Sequence, residues 1–204
     1  MTVLGLQPHV VINNLHRTKM DANREIDKAT FGVPDAAQAY QDYANFIKKA
    51  QAAISPGRGL LLDIHGHRYE RTQLGYLISK RKLQSGVYSP QKTSIKSLAL
   101  HWCTLNDDPC FKSFIHGNRS LGHFLVKEGL QAVPSPLARD PGVERYFSGG
   151  YTVKVYGSKY GGDIDAIQME FPRADSRKYV CVRRQRVAWI NESSSYFLLS
   201  VDGL

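Results

Sequence analysis

Two histidines and an aspartate lie where an apolar run typical of a buried strand comes to its end, in the segment Asp63-Ile64-His65-Gly66-His67. Open α/β sheets bind their ligands at the carboxyl ends of such strands. A neutral imidazole is a good zinc ligand, Gly66 permits a sharp turn, and Asp63 can fix the tautomer of His65 from behind. The pattern therefore makes His65 and His67 candidate metal ligands.

The same residues allow a purely structural interpretation. Two histidines cannot close a catalytic zinc site, which normally takes three protein ligands, so His65 and His67 can equally be hydrogen-bonded loop histidines. His67 and Glu70 also have the H-x-x-E spacing of a ligand pair. Both alternatives stay open at this point.

Glu170 is the candidate general base. It is placed near the end of a predicted strand among Ile167, Met169 and Phe171, where partial loss of water would raise its proton affinity. The alternative is a solvent-facing glutamate on an edge strand.

Asn23 and Arg24 form a third candidate group, because they follow the first predicted strand. The planar guanidinium of Arg24 suits a substrate carboxylate, which it can bind through two parallel hydrogen bonds. The alternative is a structural surface pair between Arg24 and Glu25.

Four elements have to position these residues. Residues 10–12 predict a short buried strand, and residues 60–64 predict a strand buried on both faces, as in a parallel sheet. Residues 35–54 predict an amphipathic helix from apolar positions spaced by three and four. Residues 164–171 predict a last strand with Ile167, Met169 and Phe171 on one face and Gln168 and Glu170 on the other. The order of helix and buried strand is typical of an α/β fold.

Shorter patterns lie between these elements. Residues 74–79 form a second apolar stretch, and Thr93 or Ser94 is a candidate cap for a helix that reaches residue 101. Residues 121–125 predict a helix closed by Gly129. The alternation over residues 151–156 predicts a strand.

Composition points to one globular domain over residues 1–204. The chain is 42% hydrophobic and 22% charged, which excludes a disordered or coiled-coil chain, and no apolar run is long enough to span a membrane. No secretory signal is evident at the start, so a cytoplasmic location is favoured. Cys103, Cys110 and Cys181 form no C-x-x-C pair, so we expect neither a disulfide framework nor an all-cysteine zinc site.

The net charge of +9 is concentrated in the middle third and in a late cluster of basic residues. Such a cluster is either a surface that tracks phosphates or an ordinary solvated basic face. Its members are Arg173, Arg177, Lys178, Arg183, Arg184 and Arg186.

Several blocks of this sequence, in the same order, resemble the N-formylglutamate amidohydrolase family. The resemblance covers about residues 7–174 and is carried by Pro8-His9-Val10-Val11-Ile12-Asn13-Asn14-Leu15-His16-Arg17, Asp21-Ala22-Asn23-Arg24-Glu25, Leu61-Leu62-Asp63-Ile64-His65-Gly66-His67, Leu74-Gly75-Tyr76-Leu77, Tyr146-Phe147-Ser148-Gly149-Gly150-Tyr151-Thr152 and Asp165-Ala166-Ile167-Gln168-Met169-Glu170.

The resemblance implies a fold similar to that of zinc carboxypeptidases, a phosphorylase/hydrolase-like three-layer α/β/α sandwich around a mixed, mainly parallel sheet. It implies hydrolysis of a linear amide in a small N-acyl or N-formyl amino acid. His65 would bind zinc, Glu170 would activate the zinc-bound water, and Arg24 with Asn23 and Tyr151 would hold the substrate.

The chain also departs from the family pattern. The early loop that supplies the first metal ligands in relatives is not found, and from about residue 175 the sequence diverges into a tail of strand-like composition. An alternative function is therefore a catalytically silent module that binds an acidic partner or nucleic acid, although nucleic acid is not favoured. A further alternative is dimerisation through an unpaired sheet edge.

Overall fold

The computed structural model describes residues 8–104 and 107–172, together with the backbone of one further strand near the carboxyl terminus. Its helices are α1 (Ile26–Ala29), α2 (Pro34–Ile54), α3 (Lys80–Ser85), α4 (Lys96–Trp102), α5 (Asp108–His116), α6 (Leu121–Lys127) and α7 (Tyr151–Tyr156). Its strands are β1 (His9–Asn13), β2 (Arg58–His67), β3 (Thr72–Gly75), β4 (Ala132–Val133), β5 (Ile164–Pro172) and β6 (Ser195–Asp202). The predicted α/β class is confirmed.

The strands form one six-stranded sheet in the order β1-β6-β2-β5-β3-β4. β1, β6, β2 and β5 run parallel to one another, whereas β3 is antiparallel to β5 and parallel to β4. The predicted mixed, mainly parallel sheet is therefore confirmed. The carboxyl ends of four strands meet at one edge, which is where the candidate site residues were placed from the sequence.

Alternate residues of β2 and β5 enter two separate hydrophobic clusters. Leu61 and Ala166 pack with α2 and α7, while Leu62, Ile167 and Met169 pack with residues of α3, α4 and α5. Successive side chains of a strand point to opposite faces, so each cluster covers one face of the sheet. Burial on both faces explains why residues 60–64 read as a continuous apolar run.

α2 is the longest of the described helices, and its predicted range of 35–54 is confirmed to within one residue. Pro34 is in the first turn of α2, where a backbone N–H would have no acceptor within the helix, so proline is tolerated. Asp35 adds a negative charge that interacts favourably with the helix dipole at this end. One face is buried against the sheet, with the apolar side chains of Ala36, Tyr40, Tyr43, Ile47, Ala50 and Ile54. The spacing of three and four residues thus located this helix correctly.

The strand predicted over residues 151–156 is wrong, because this segment is helix α7. Six residues that alternate between apolar and polar do not separate a strand from a short helix. The tertiary packing decides instead: Thr152 and Val153 are buried, and Val153 belongs to the cluster formed with α2.

Two smaller predictions also need correction. The apolar stretch at 74–79 is not one element, since β3 ends at Gly75 and Leu77 adopts a positive φ of 65°. Neither Thr93 nor Ser94 caps α4, because their hydroxyls donate to the carbonyls of Pro90 at 2.8 Å and Ala166 at 2.6 Å. The helix nevertheless occupies most of the predicted range, and α6 also lies where it was predicted.

Cys103 and Cys110 form a disulfide across the start of α5. The sequence analysis did not expect a disulfide framework, so this bond between two of the three cysteines corrects that expectation. Among the described helices, none has the length and apolarity that crossing a membrane requires.

The divergent tail contains β6, which inserts between β1 and β2. The strand-like composition around residues 195–199 therefore predicted a real strand, although it gave no indication of its position in the sheet. The strand-like stretch at 179–182 and the basic cluster of residues 173–186 lie outside the described residues.

Candidate functional site

His65 and Glu170 are in-register neighbours on β2 and β5, two strands in the interior of the sheet. Asp63 and Gln168 form the preceding pair on the same face. All four side chains are buried, and Glu170 is only 6% exposed. The alternative of a solvent-facing glutamate on an edge strand is therefore wrong, since β5 lies between β2 and β3.

The Glu170 carboxylate lies in surroundings that favour its protonated form. Burial raises the pKa of Glu170 above its ordinary value, and the negative charge of Asp63 acts in the same direction. The His65 ring, an amide hydrogen bond from Gln168 and the charge of Arg17 oppose this rise. Gln168 Nε2 donates to Glu170 Oε1 at 2.7 Å. A carboxylate with raised proton affinity is suited to accepting a proton from water.

Asp63 lies beside His65. Its Oδ2 is 3.0 Å from His65 Nε2, and the Asp63 side chain is fully buried. Neither carboxylate oxygen of Asp63 has a hydrogen-bond partner within the described part of the chain, so this contact is a close approach of the two groups and not a hydrogen bond. The predicted supporting role of Asp63 stays a prediction.

His67 is engaged on both ring nitrogens by the backbone. The N–H of Tyr69 donates to Nδ1 at 3.0 Å, so that nitrogen carries no proton. Nε2 is then the protonated nitrogen, and it donates to the carbonyl of Glu170 at 2.9 Å. Burial lowers the pKa of His67, which agrees with a neutral ring. His67 thus fits the structural interpretation in its hydrogen bonds, although it is the last residue of β2 and not a loop residue. Its H-x-x-E partner Glu70 is exposed to solvent.

These contacts bear on the zinc that the family resemblance implies. His65 Nε2 lies against Asp63, and both nitrogens of His67 have backbone partners. Within the described residues, no group of three or more His, Cys, Asp or Glu side chains is arranged to hold a metal ion. The described residues therefore do not fit a complete zinc site, which takes at least three protein ligands.

The loop between β1 and α1 carries the third candidate group. Asp21 organises it by accepting from Arg17 Nη2 at 3.1 and 2.9 Å and from the N–H of Asn23 at 3.1 Å. Arg24 Nε lies 3.5 Å from Asp21, and the Arg24 side chain is 61% exposed. Arg24 therefore pairs with Asp21 rather than Glu25, and most of its surface faces solvent.

Asn23 joins this loop to α7. Its Oδ1 accepts from the N–H of Thr152 at 3.1 Å, in the first turn of the helix. A Cβ on Gly150 would lie 2.3 Å from the Asn23 amide, so only glycine permits this close approach. The side-chain oxygen of Asn23 is thus occupied by the protein itself.

Tyr40 of α2 links the same two segments. Its hydroxyl donates to the carbonyl of Arg24 at 2.9 Å. Burial raises the pKa of Tyr40, and a hydrogen bond with Tyr151 contributes to the rise. Tyr151, predicted to bind substrate, therefore lies beside the loop that carries Arg24.

Two residues of this region were not predicted as site residues. Arg17 acts on the Glu170 carboxylate through its charge, and Gln168 binds that carboxylate directly. The signal for Gln168 was its position two residues before Glu170 on the same strand, which puts both side chains on one face. Arg17 gave no comparable signal, because it reaches the site from a loop.

Comparison of the chain with protein-family models, with curated proteins and with solved structures found no match.

Proposed function

We propose that this chain is a hydrolase of linear amide bonds, of the N-formylglutamate amidohydrolase type, acting on small N-acyl amino acids. The observation that carries the proposal is the in-register pair of His65 and Glu170, both buried, on adjacent interior strands. The proposed architecture is the three-layer α/β/α sandwich of zinc carboxypeptidases. The mainly parallel sheet and its two hydrophobic clusters support this assignment.

In this proposal Glu170 is the general base. It takes a proton from a water molecule while the water oxygen forms a bond to the amide carbonyl carbon. The same proton then passes to the amine nitrogen as the carbon–nitrogen bond breaks, which regenerates the carboxylate. The raised pKa of Glu170 supports this role, because a base of higher pKa removes a proton from water more readily.

The cations of the β1–α1 loop are proposed to bind the charged parts of the substrate. The Arg24 guanidinium is largely exposed, so a substrate carboxylate can form two parallel hydrogen bonds with it. Arg17 is held by Asp21, and its positive charge is placed to stabilise negative charge that develops near Glu170. Asn23 and Tyr151 hold this loop in place.

Zinc enters the proposal through the family resemblance, with His65 as its ligand. The remaining ligands would have to come from outside the described residues, so no step above depends on a metal. Zinc content of the purified chain tests this part separately: about one zinc per chain, lost on His65→Ala, is expected. A folded chain that retains no zinc would remove the metal from the proposal.

The activity is tested by measuring amine release from N-formyl-glutamate and N-acetyl-glutamate, with and without added zinc. We expect Glu170→Gln to reduce the rate by roughly a hundredfold or more, because the amide cannot accept the proton. The matched control is Glu128→Gln, an exposed glutamate of the same chain, which should retain the full rate. No release by the wild-type chain, or equal rates for it and Glu170→Gln, would contradict the proposal.

A further inference from the structure

The outer edge of β1 is open in the described sheet. β1 pairs with β6 on one side, and no described strand pairs with its other side. Its sequence, His-Val-Val-Ile-Asn, contains neither a charged residue nor a proline, which are the usual means of protecting an edge strand from pairing. Val10 and Ile12 are about half exposed, at 52% and 51%. This edge is chemically suited to accept another strand.

A groove of about 720 Å³ runs along the same edge, between β1 and the middle of α2. Neither His65 nor Glu170 lines it, so it is separate from the candidate site. Phe46 of α2 lines the groove and is 56% exposed. An exposed phenylalanine beside an unprotected strand edge is typical of a protein–protein contact.

The charges on α2 indicate which partner fits. Asp42 and Lys49 line the groove on either side of Phe46, and they lie seven residues apart, about 10 Å along the helix. A two-fold axis that passes near Phe46 would place Asp42 of one copy against Lys49 of the other, and the reverse pair equally. The surface is thus complementary to itself, as the interface of a symmetric dimer must be.

The strand edge obeys the same symmetry. The groove is lined by all five residues of β1 and by six residues of α2 between Ala39 and Ala50. A two-fold axis perpendicular to the sheet at Val11 would pair β1 with its copy in antiparallel orientation. Val10 would then lie opposite Ile12 of the second copy, and the two exposed apolar pairs would cover each other.

We propose that this chain forms a symmetric dimer through the outer edge of β1 and the Asp42–Phe46–Lys49 face of α2. The two sheets join into one continuous sheet, and the α2 helices of the two copies pack side by side. The dimer proposal does not depend on the proposed hydrolase activity, because no residue that supports the dimer also supports the candidate site.

The test is sedimentation of the full chain over a series of concentrations, with charge reversals on α2. The wild-type chain should show a monomer–dimer equilibrium. Asp42→Lys alone, or Lys49→Asp alone, should raise the dimer dissociation constant by about tenfold, because two charge pairs change from attraction to repulsion at once. The double variant should restore an affinity within a few-fold of the wild type, since each pair is then merely exchanged.

The matched controls are Asp163→Lys and Lys127→Asp, which make the same changes of charge at exposed positions away from the groove. They should leave the dissociation constant unchanged, and far-ultraviolet circular dichroism should confirm that every variant is folded. A monomeric wild-type chain would overturn the proposal, as would a dimer unaffected by the single reversals. Failure of the double variant to restore the dimer would also overturn it.

Discussion

Asp165 should make this protein less stable as the pH rises from about 4 to about 6. It lies at the start of β5 and is only 4% exposed, and burial raises its pKa from 3.8 to about 6. Hydrogen bonds from Ser97 and Ser158 and the charge of Arg58 lower its pKa but do not offset burial. The folded chain therefore keeps a proton at Asp165 over a range where the unfolded chain has released it.

The sign and size of the effect follow from this difference. Between the unfolded pKa of 3.8 and the folded pKa of about 6, the folded state binds more protons, so the free energy of unfolding falls as the pH rises. The difference is about two pKa units at roughly 1.4 kcal/mol each, which makes the total loss about 3 kcal/mol. Above the folded pKa this contribution stays constant.

Asp165→Asn isolates this effect. Asp165 Oδ1 accepts from the N–H of Ser97, and Oδ2 lies 3.0 Å from the Ser97 hydroxyl. An amide can keep both contacts, because its NH₂ can donate to that hydroxyl in place of Oδ2. The variant should therefore fold normally and lack the titration. Its free energy of unfolding, relative to the wild type, should increase by about 2.4 kcal/mol between pH 4 and pH 7, since part of the total loss already occurs below pH 4.

Urea unfolding at closely spaced pH values, followed by circular dichroism, measures this difference. The control is Asp163→Asn, which makes the same change at an exposed aspartate two residues earlier. If the difference between Asp165→Asn and the wild type is constant with pH, or decreases as the pH rises, then Asp165 is not destabilised by burial and the reasoning fails.

Three further predictions concern the site and its supports. Asn23→Ala should lower the free energy of unfolding by about 1 kcal/mol, because the N–H of Thr152 loses its acceptor. In urea unfolding, Asn23→Asp should lower it less, and equal losses for the two variants would contradict the assigned contact. Ile47→Ala should lower the free energy of unfolding by about 2–5 kcal/mol, because Ile47 is fully buried. Lys48→Ala, at an exposed position, should leave it near the wild-type value, and a small loss for Ile47→Ala would refute the packing of α2. The His67 ring should titrate below its ordinary pKa of 6.5 in an NMR pH series, so its contribution to stability is lost as the pH falls below that value. Titration at or above 6.5 would refute the argument that burial keeps this ring neutral.

The sequence predicted the secondary structure best where a single hydrophobic pattern was strong. The interior strands β2 and β5 bury both faces, so their apolar runs identified them, and the regular spacing in α2 identified the helix. The neighbouring positions of His65 and Glu170 required one more step, since only the pairing of β2 with β5 brings residues 105 positions apart into register. A sequence pattern predicts that each lies on a strand, but not which strands are adjacent.

The predictions for α7 and β6 were wrong or incomplete for the same reason, namely contacts between residues that are far apart in the sequence. The α7 segment was read as a strand because Tyr151-Thr152-Val153-Lys154-Val155-Tyr156 alternates, yet its first turn is bound by Asn23, which lies well over a hundred residues earlier. β6 was recognisable as strand-like, but its insertion between β1 and β2 depends on long-range pairing. No local window of sequence contains these contacts.

Helix α7, which the sequence predicted as a strand, also anchors the loop that carries Arg24. Asn23 is bound to the first turn of α7, and Gly150 lets the two segments come close enough for that contact. The neighbouring Arg24 is 61% exposed, and its backbone carbonyl accepts a hydrogen bond from Tyr40. The guanidinium therefore faces mostly solvent, with Asp21 as a neighbour at 3.5 Å, while the backbone around it is anchored at two points. This combination suits recognition of a small charged substrate, because the anchor sets the position of Arg24 and its side chain adapts to the ligand.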